Sequence, residues 1–91
     1  MNTRKAFARS LQQLRAAQGV TQEDFGIVSS RTYISMLERG LRSPTLDKLD
    51  ALAQVLKVHP LSLLALTYQN AGGFRDLESL LAKVRADLGD R

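Results

Sequence analysis

The chain contains no cysteine and no tryptophan, and only one histidine, two prolines, two tyrosines and three phenylalanines. Without cysteine there is no disulfide framework and no thiolate metal site. The single histidine, His59, lacks the companions that metal ligation needs, so its expected role is capping or surface exposure. A nucleophile–base–orienter set can be assembled only from commonplace Ser, Lys and Asp residues. There is no G-x-S-x-G elbow, no P-loop and no dinucleotide fingerprint, and the carboxylates form no concentrated pair. These gaps predict a protein that is not an enzyme and takes no cofactor. The apolar runs fall far short of a membrane span, and the amino terminus carries no secretory pattern. A cytoplasmic location without a membrane partner is therefore expected. Scarce aromatics also argue against single-stranded nucleic acid, whose sites need stacking platforms.

What is present fits one small domain. Ninety-one residues bury a modest core, with no room for a small-molecule pocket beside its own packing. The net charge is +4, and its placement matters more than its size. Residues 1–48 hold eight basic against four acidic side chains, and residues 49–91 hold five against five. All the excess is in the first half, which favours a polyanionic partner.

That half is organised around Thr21–Gly40, which reads as two short helices joined by a tight turn. Thr21 with Asp24 three residues on fits a capping box, and the segment Thr21–Gly26 is cut short by Gly26. Ser29 and Ser30 offer a second cap, and Ser30–Arg39 follows without Gly or Pro until Gly40. Ile34 and Leu37 point inward with Tyr33 beside them, whereas Arg31, Thr32, Ser35 and Met36 lie on other faces. A short helix with Arg and hydroxyl side chains at its start suits a DNA major groove. Ahead of it, Thr3–Gln18 carries Phe7, Leu11 and Leu14 on one stripe and stops at Gly19. Behind it, Leu46, Leu49, Leu52, Ala53 and Leu56 form a wide stripe over Thr45–Lys57, with Pro44 suited to the first turn and Thr45 to the cap. Pro60 starts a fifth helix to about Tyr68.

In order along the chain, Leu14-Arg15, Gly19-Val20-Thr21-Gln22-Glu23, Ser30-Arg31-Thr32-Tyr33-Ile34-Ser35 and Leu37-Glu38-Arg39-Gly40 resemble the lambda-repressor/Cro-like (XRE) family of helix-turn-helix regulators. Ser43-Pro44-Thr45-Leu46, Leu49, Leu52-Ala53 and Val58-His59-Pro60 continue the likeness, which runs from about Arg4 to Leu66. The resemblance implies an all-α fold: a five-helix lambda-repressor-like DNA-binding domain over residues 1–69. It implies binding of double-stranded DNA, with Arg31, Thr32, Ser35 and Met36 facing bases. Gln22, Ser30 and Tyr33 are then phosphate contacts, joined by Arg42, Ser43, Thr45 and Lys48 around the loop after the recognition helix. It also implies a structural ion pair between Arg15 and Glu38. Between Gln22 and Tyr33 this chain is two residues shorter than the family's usual pattern, so the second helix or the turn must be trimmed.

Beyond the likeness, Asn70-Ala71-Gly72-Gly73 reads as a break, and residues 70–91 as an extension. Phe74–Leu88 has an apolar stripe of Phe74, Leu77, Leu80, Leu81, Val84 and Leu88. Leu61, Leu63, Leu64 and Leu66 make the preceding helix apolar on more than one side. This surface either folds back on its own domain or pairs with a second copy. The homodimer is the expected arrangement, because a two-fold contact also serves a symmetric DNA site. The resulting expectation is a dimeric repressor of bacterial or phage type, nucleoid-associated, on an inverted-repeat operator. The rival from another class is a protein–protein module of antitoxin or co-regulator type, using the same apolar helices, with DNA binding secondary.

Overall fold

A computed structural model describes residues 1–89, and the last two residues of the carboxyl-terminal extension lie outside the described part. Among the described residues, five α-helices and one 3₁₀ helix surround one core: α1 (Thr3–Gln18), the 3₁₀ helix (Gln22–Ile27), α2 (Arg31–Glu38), α3 (Leu46–Leu56), α4 (Pro60–Ala71) and α5 (Leu77–Leu88). Among the described residues there is no strand. This is the expected all-helical architecture with an added final helix.

Each α-helix starts where a side chain takes an otherwise unpaired amide. The Asn2 carboxamide accepts from the Lys5 N–H at 2.8 Å, Ser30 Oγ from Tyr33 at 3.1 Å and Thr45 Oγ1 from Lys48 at 3.1 Å. His59 Nδ1 accepts from the Leu61 N–H at 2.9 Å, ahead of Pro60 in the first turn. The histidine is thus a cap. Gly19, at φ 66°, ends α1 in the left-handed region that a side chain resists.

The core joins Phe7 and Leu11 of α1, Phe25 of the 3₁₀ helix, Ile34 and Leu37 of α2, Leu49, Leu52 and Leu56 of α3 and Leu63 of α4. Phe25 is fully buried, which stabilises the fold by roughly 1.5–3 kcal/mol and pins the 3₁₀ helix to the core. The most extensive packing is α1 against α4. No single helix among the described residues is long and apolar enough to cross a membrane. The apolar α3 and α4 are bent by 104° relative to one another, and Leu49, Leu52, Leu56 and Leu63 from them lie in the core.

Several boundaries differ from expectation, each for a physical reason. The trimmed second helix is 3₁₀, covering Gln22–Ile27 instead of Thr21–Gly26. A 3₁₀ helix rises about 2.0 Å per residue against 1.5 Å for an α-helix, so fewer residues span the same gap. Leu46 is 77% exposed and off the stripe, since α3 begins at this residue and its first turn overhangs the core edge. Pro44 precedes the Thr45 cap and so lies outside the helix.

Helix α4 runs past Tyr68 to Ala71, because Asn70 is tied to α1. Its Nδ2 donates to Ser10 Oγ at 2.8 Å and to Gln13 Oε1 at 2.9 Å. The break is confined to Gly72 and Gly73, both at positive φ. Phe74 therefore falls in the turn, and the last helix starts at Leu77, capped by Asp76, whose carboxylate accepts from the Ser79 N–H at 2.9 Å. Among the described residues, helix α5 packs only on α4, and Leu80 is its one buried residue.

Candidate nucleic-acid interface

Helix α2 is held at its far end by α1. The Arg15 guanidinium grips Glu38 with two prongs, Nε to Oε2 at 2.7 Å and Nη2 to Oε1 at 3.1 Å. The Glu38 side chain is 6% exposed and that of Arg15 26%. Gln22 Nε2 donates to the same Oε1 at 2.7 Å, and Gln12 Nε2 donates to the Glu38 backbone carbonyl at 2.8 Å. One carboxylate therefore accepts three hydrogen bonds from two elements, while Gln12 closes the carboxyl end of α2. A buried charge is tolerable when paired and fully hydrogen-bonded in this way. Beyond the pair, Gly40 turns the chain at φ 72° against Lys5, whose Cγ would stand 3.2 Å from an added Cβ.

The start of α2 faces outward. Arg31 and Thr32 are exposed, whereas Ser35, Met36 and Tyr33 are half-buried. Arg31 Nη2 lies 3.5 Å from Glu23 Oε1, but both side chains are more than 60% exposed, so this ion pair holds the guanidinium only weakly. Arg31 and Thr32 stand first on a helix narrow enough for the roughly 12 Å major groove. Met36 and Ser35 lie one turn deeper.

Flanking α2 are Gln22 on one side and the loop after it on the other. Arg42, Ser43 and Thr45 are exposed, and Thr45 Oγ1 already caps α3. Ser30 Oγ is likewise engaged in capping α2. Lys48 turns inward: its Nζ donates to the Val28 carbonyl at 2.7 Å and sits 5.4 Å from the centre of the Tyr33 ring.

The apolar surface is divided. Leu80 is buried between α4 and α5, and Leu64 packs partly against the core. Leu61, Phe74, Leu77, Leu81, Val84 and Leu88 remain exposed at 36% or more. Leu61 and Leu81 border shared grooves with Leu77 on one side and Val84 on the other. Among the described residues no cluster of three His, Asp or Glu side chains is arranged to hold a metal.

Gln12 went unread in the sequence, and Asn70 read only as part of the break. Gln12 carried a usable signal, since it lies three residues before Arg15 and so shares its helix face. Asn70 carried none, because its partners lie some sixty positions away.

An exposed, hydroxyl-capped helix bearing Arg31 and Thr32, pinned over a helical core and preceded by a short helix packed against it, defines a helix-turn-helix DNA-binding module. Comparison with known proteins places it more narrowly. The helix-turn-helix family model matches residues 11–63, more than half of the chain. An uncharacterized HTH-type transcriptional regulator of Sinorhizobium fredii is 39% identical over 77 residues, 82% of this chain and 100% of the relative. The control protein C.BamHI of Bacillus amyloliquefaciens is 35% identical over 69 residues, 72% of this chain and 85% of the relative. No solved structure gives a significant match. The chain belongs to the XRE-type helix-turn-helix family of DNA-binding transcription regulators.

Proposed function

We propose that this regulator is a homodimeric repressor of an inverted-repeat operator, with one α2 in the major groove of each half-site. The observation that carries the reading is the exposed amino-terminal turn of α2, where Arg31 and Thr32 stand free of the core. Arg31 pairs with a guanine edge, and Thr32 offers its methyl or hydroxyl to the neighbouring base, with Ser35 and Met36 closer to the groove wall. Gln22, Ser30, Tyr33, Arg42, Ser43 and Thr45 supply phosphate contacts that set register. Repression follows from occupying the operator, and no catalytic step is assigned to the chain. The control-protein name of one relative is in keeping with a regulatory role.

The second copy covers Leu61, Leu77, Leu81, Val84 and their neighbours Phe74 and Leu88. An exposed apolar surface of this kind needs a partner, and a self-complementary one matches a two-fold operator. The same face favours the rival reading, a module that binds another protein and uses DNA secondarily. Two measurements separate them. Sedimentation equilibrium at micromolar concentration should give a dimer of the 10.1 kDa chain. DNA affinity should fall linearly with log salt, by about 0.9 per phosphate contacted. A monomer, with affinity indifferent to salt, would sink the proposal.

A further inference from the structure

We infer that Lys48 is a positioning residue: it braces the shortened turn and so sets the angle of α2, and hence base discrimination, without itself touching DNA. The inference rests on the DNA-binding reading above. It starts from the turn itself. Only Val28, Ser29 and Ser30 separate the last residue of the 3₁₀ helix, Ile27, from the first of α2, Arg31. The Val28 and Ser29 N–H groups both donate to the Phe25 carbonyl, at 2.9 and 3.0 Å, closing the end of the 3₁₀ helix. The Val28 carbonyl lies beyond that helix, at a point where the chain must turn with little slack.

The Lys48 ammonium takes that carbonyl at 2.7 Å, and its charge stands 5.4 Å from the centre of the Tyr33 ring. One side chain therefore grips the residue two before the Ser30 cap and a ring in the first turn of α2. The grip is itself anchored, because the Lys48 N–H donates to Thr45 Oγ1 in the capped first turn of α3. A capped helix, a half-buried alkyl stem and a charged hydrogen bond thus tie α3 to the entry of the recognition helix. A helix with two more residues of turn could find its angle through local packing. Here the brace supplies it.

A phosphate contact and a brace leave different marks on binding. A lost phosphate contact weakens all DNA alike and lowers the salt slope by about one. A lost brace misaligns Arg31 and Thr32, so the operator suffers and random DNA does not. The experiment compares the full chain with Lys48→Met, which keeps the stem, and Lys48→Arg, which keeps a cationic donor able to stack on Tyr33. Binding is measured on selected operator and on random duplex across salt, with amide chemical shifts recorded on the free proteins.

For Lys48→Met the expected result is about a tenfold loss on operator, the scale of one misplaced base contact, with random-DNA affinity and salt slope unchanged. Amides from Ser29 to Tyr33 should shift, and Lys48→Arg should recover most of the operator affinity. An equal loss on both DNAs with a reduced slope would overturn the inference in favour of a phosphate contact. Unchanged operator binding would overturn it as well. A parent chain with no operator preference would refute the regulator reading instead. The brace is then judged by the shifts, and shifts confined to α3 would overturn it.

Discussion

Truncating Arg15 to alanine should unfold this protein more effectively than any loss of a surface charge. The side chain donates twice to Glu38, whose carboxylate is 6% exposed and retains only the Gln22 amide once the guanidinium is gone. Breaking a buried pair by removing one partner costs about 3–5 kcal/mol, because a buried charge is left uncompensated. For a domain of this size each kcal/mol moves the melting temperature by roughly 4–8 °C, so even 3 kcal/mol is a drop of at least about 12 °C. Glu38→Gln should cost less, about 1–2 kcal/mol. Arg15 is a quarter exposed and can turn to water, and the amide carbonyl still accepts. The double variant should be milder than the sum of the singles, since the two residues share one network. Urea unfolding followed by circular dichroism, at one fixed protein concentration, measures all three. An Arg15→Ala variant within 0.5 kcal/mol of the parent would refute the claim that this pair holds α2 to α1, on the usual scale for neutral surface changes.

Three further outcomes follow from the same geometry. Arg31→Ala should relax preference at one operator position by about 1–3 kcal/mol, whereas Arg42→Ala should weaken binding to every sequence and flatten the salt slope, both read by fluorescence anisotropy. Leu81→Glu, on an exposed position of α5, should leave the melting of the protomer nearly unchanged but convert the dimer to monomer in sedimentation. The Ser79 backbone and side-chain hydrogen bonds hold the Asp76 carboxyl below the usual carboxylate range. Its folded value is the lower one, so the cap's contribution is fully present above the unfolded pKa and is lost as the pH falls through the folded value. Helix α5 should accordingly loosen at acid pH, seen as faster amide exchange in Leu77–Leu80. Asp76→Asn, which caps without titrating, should abolish that pH dependence.

Much of the fold was legible because periodicity and punctuation agree. Phe7 and Leu11 fall at helical spacing ahead of Gly19, and Leu49, Leu52 and Leu56 at helical spacing behind Thr45, and all are buried where the stripes put them. Leu46 shows the limit, since a stripe does not reveal where the core ends. The 3₁₀ helix was illegible for a different reason: over six residues the two helix types share one side-chain pattern, and only the span to be bridged decides between them. Lys48 read as a phosphate contact because nothing local shows that the Val28 carbonyl, twenty positions away, lies within its reach. The α5 stripe was read correctly as apolar, but amphipathicity does not say what covers it. Leu80 alone found cover within the protomer, which is why its neighbours carry the dimer proposal.

The central claim, a two-fold regulator reading bases through α2, is tested most directly by selecting randomised duplex DNA on the purified protein and sequencing what is retained. The account predicts an enriched inverted repeat with half-site centres about 10 bp apart. Retention of DNA without any enriched sequence would contradict it.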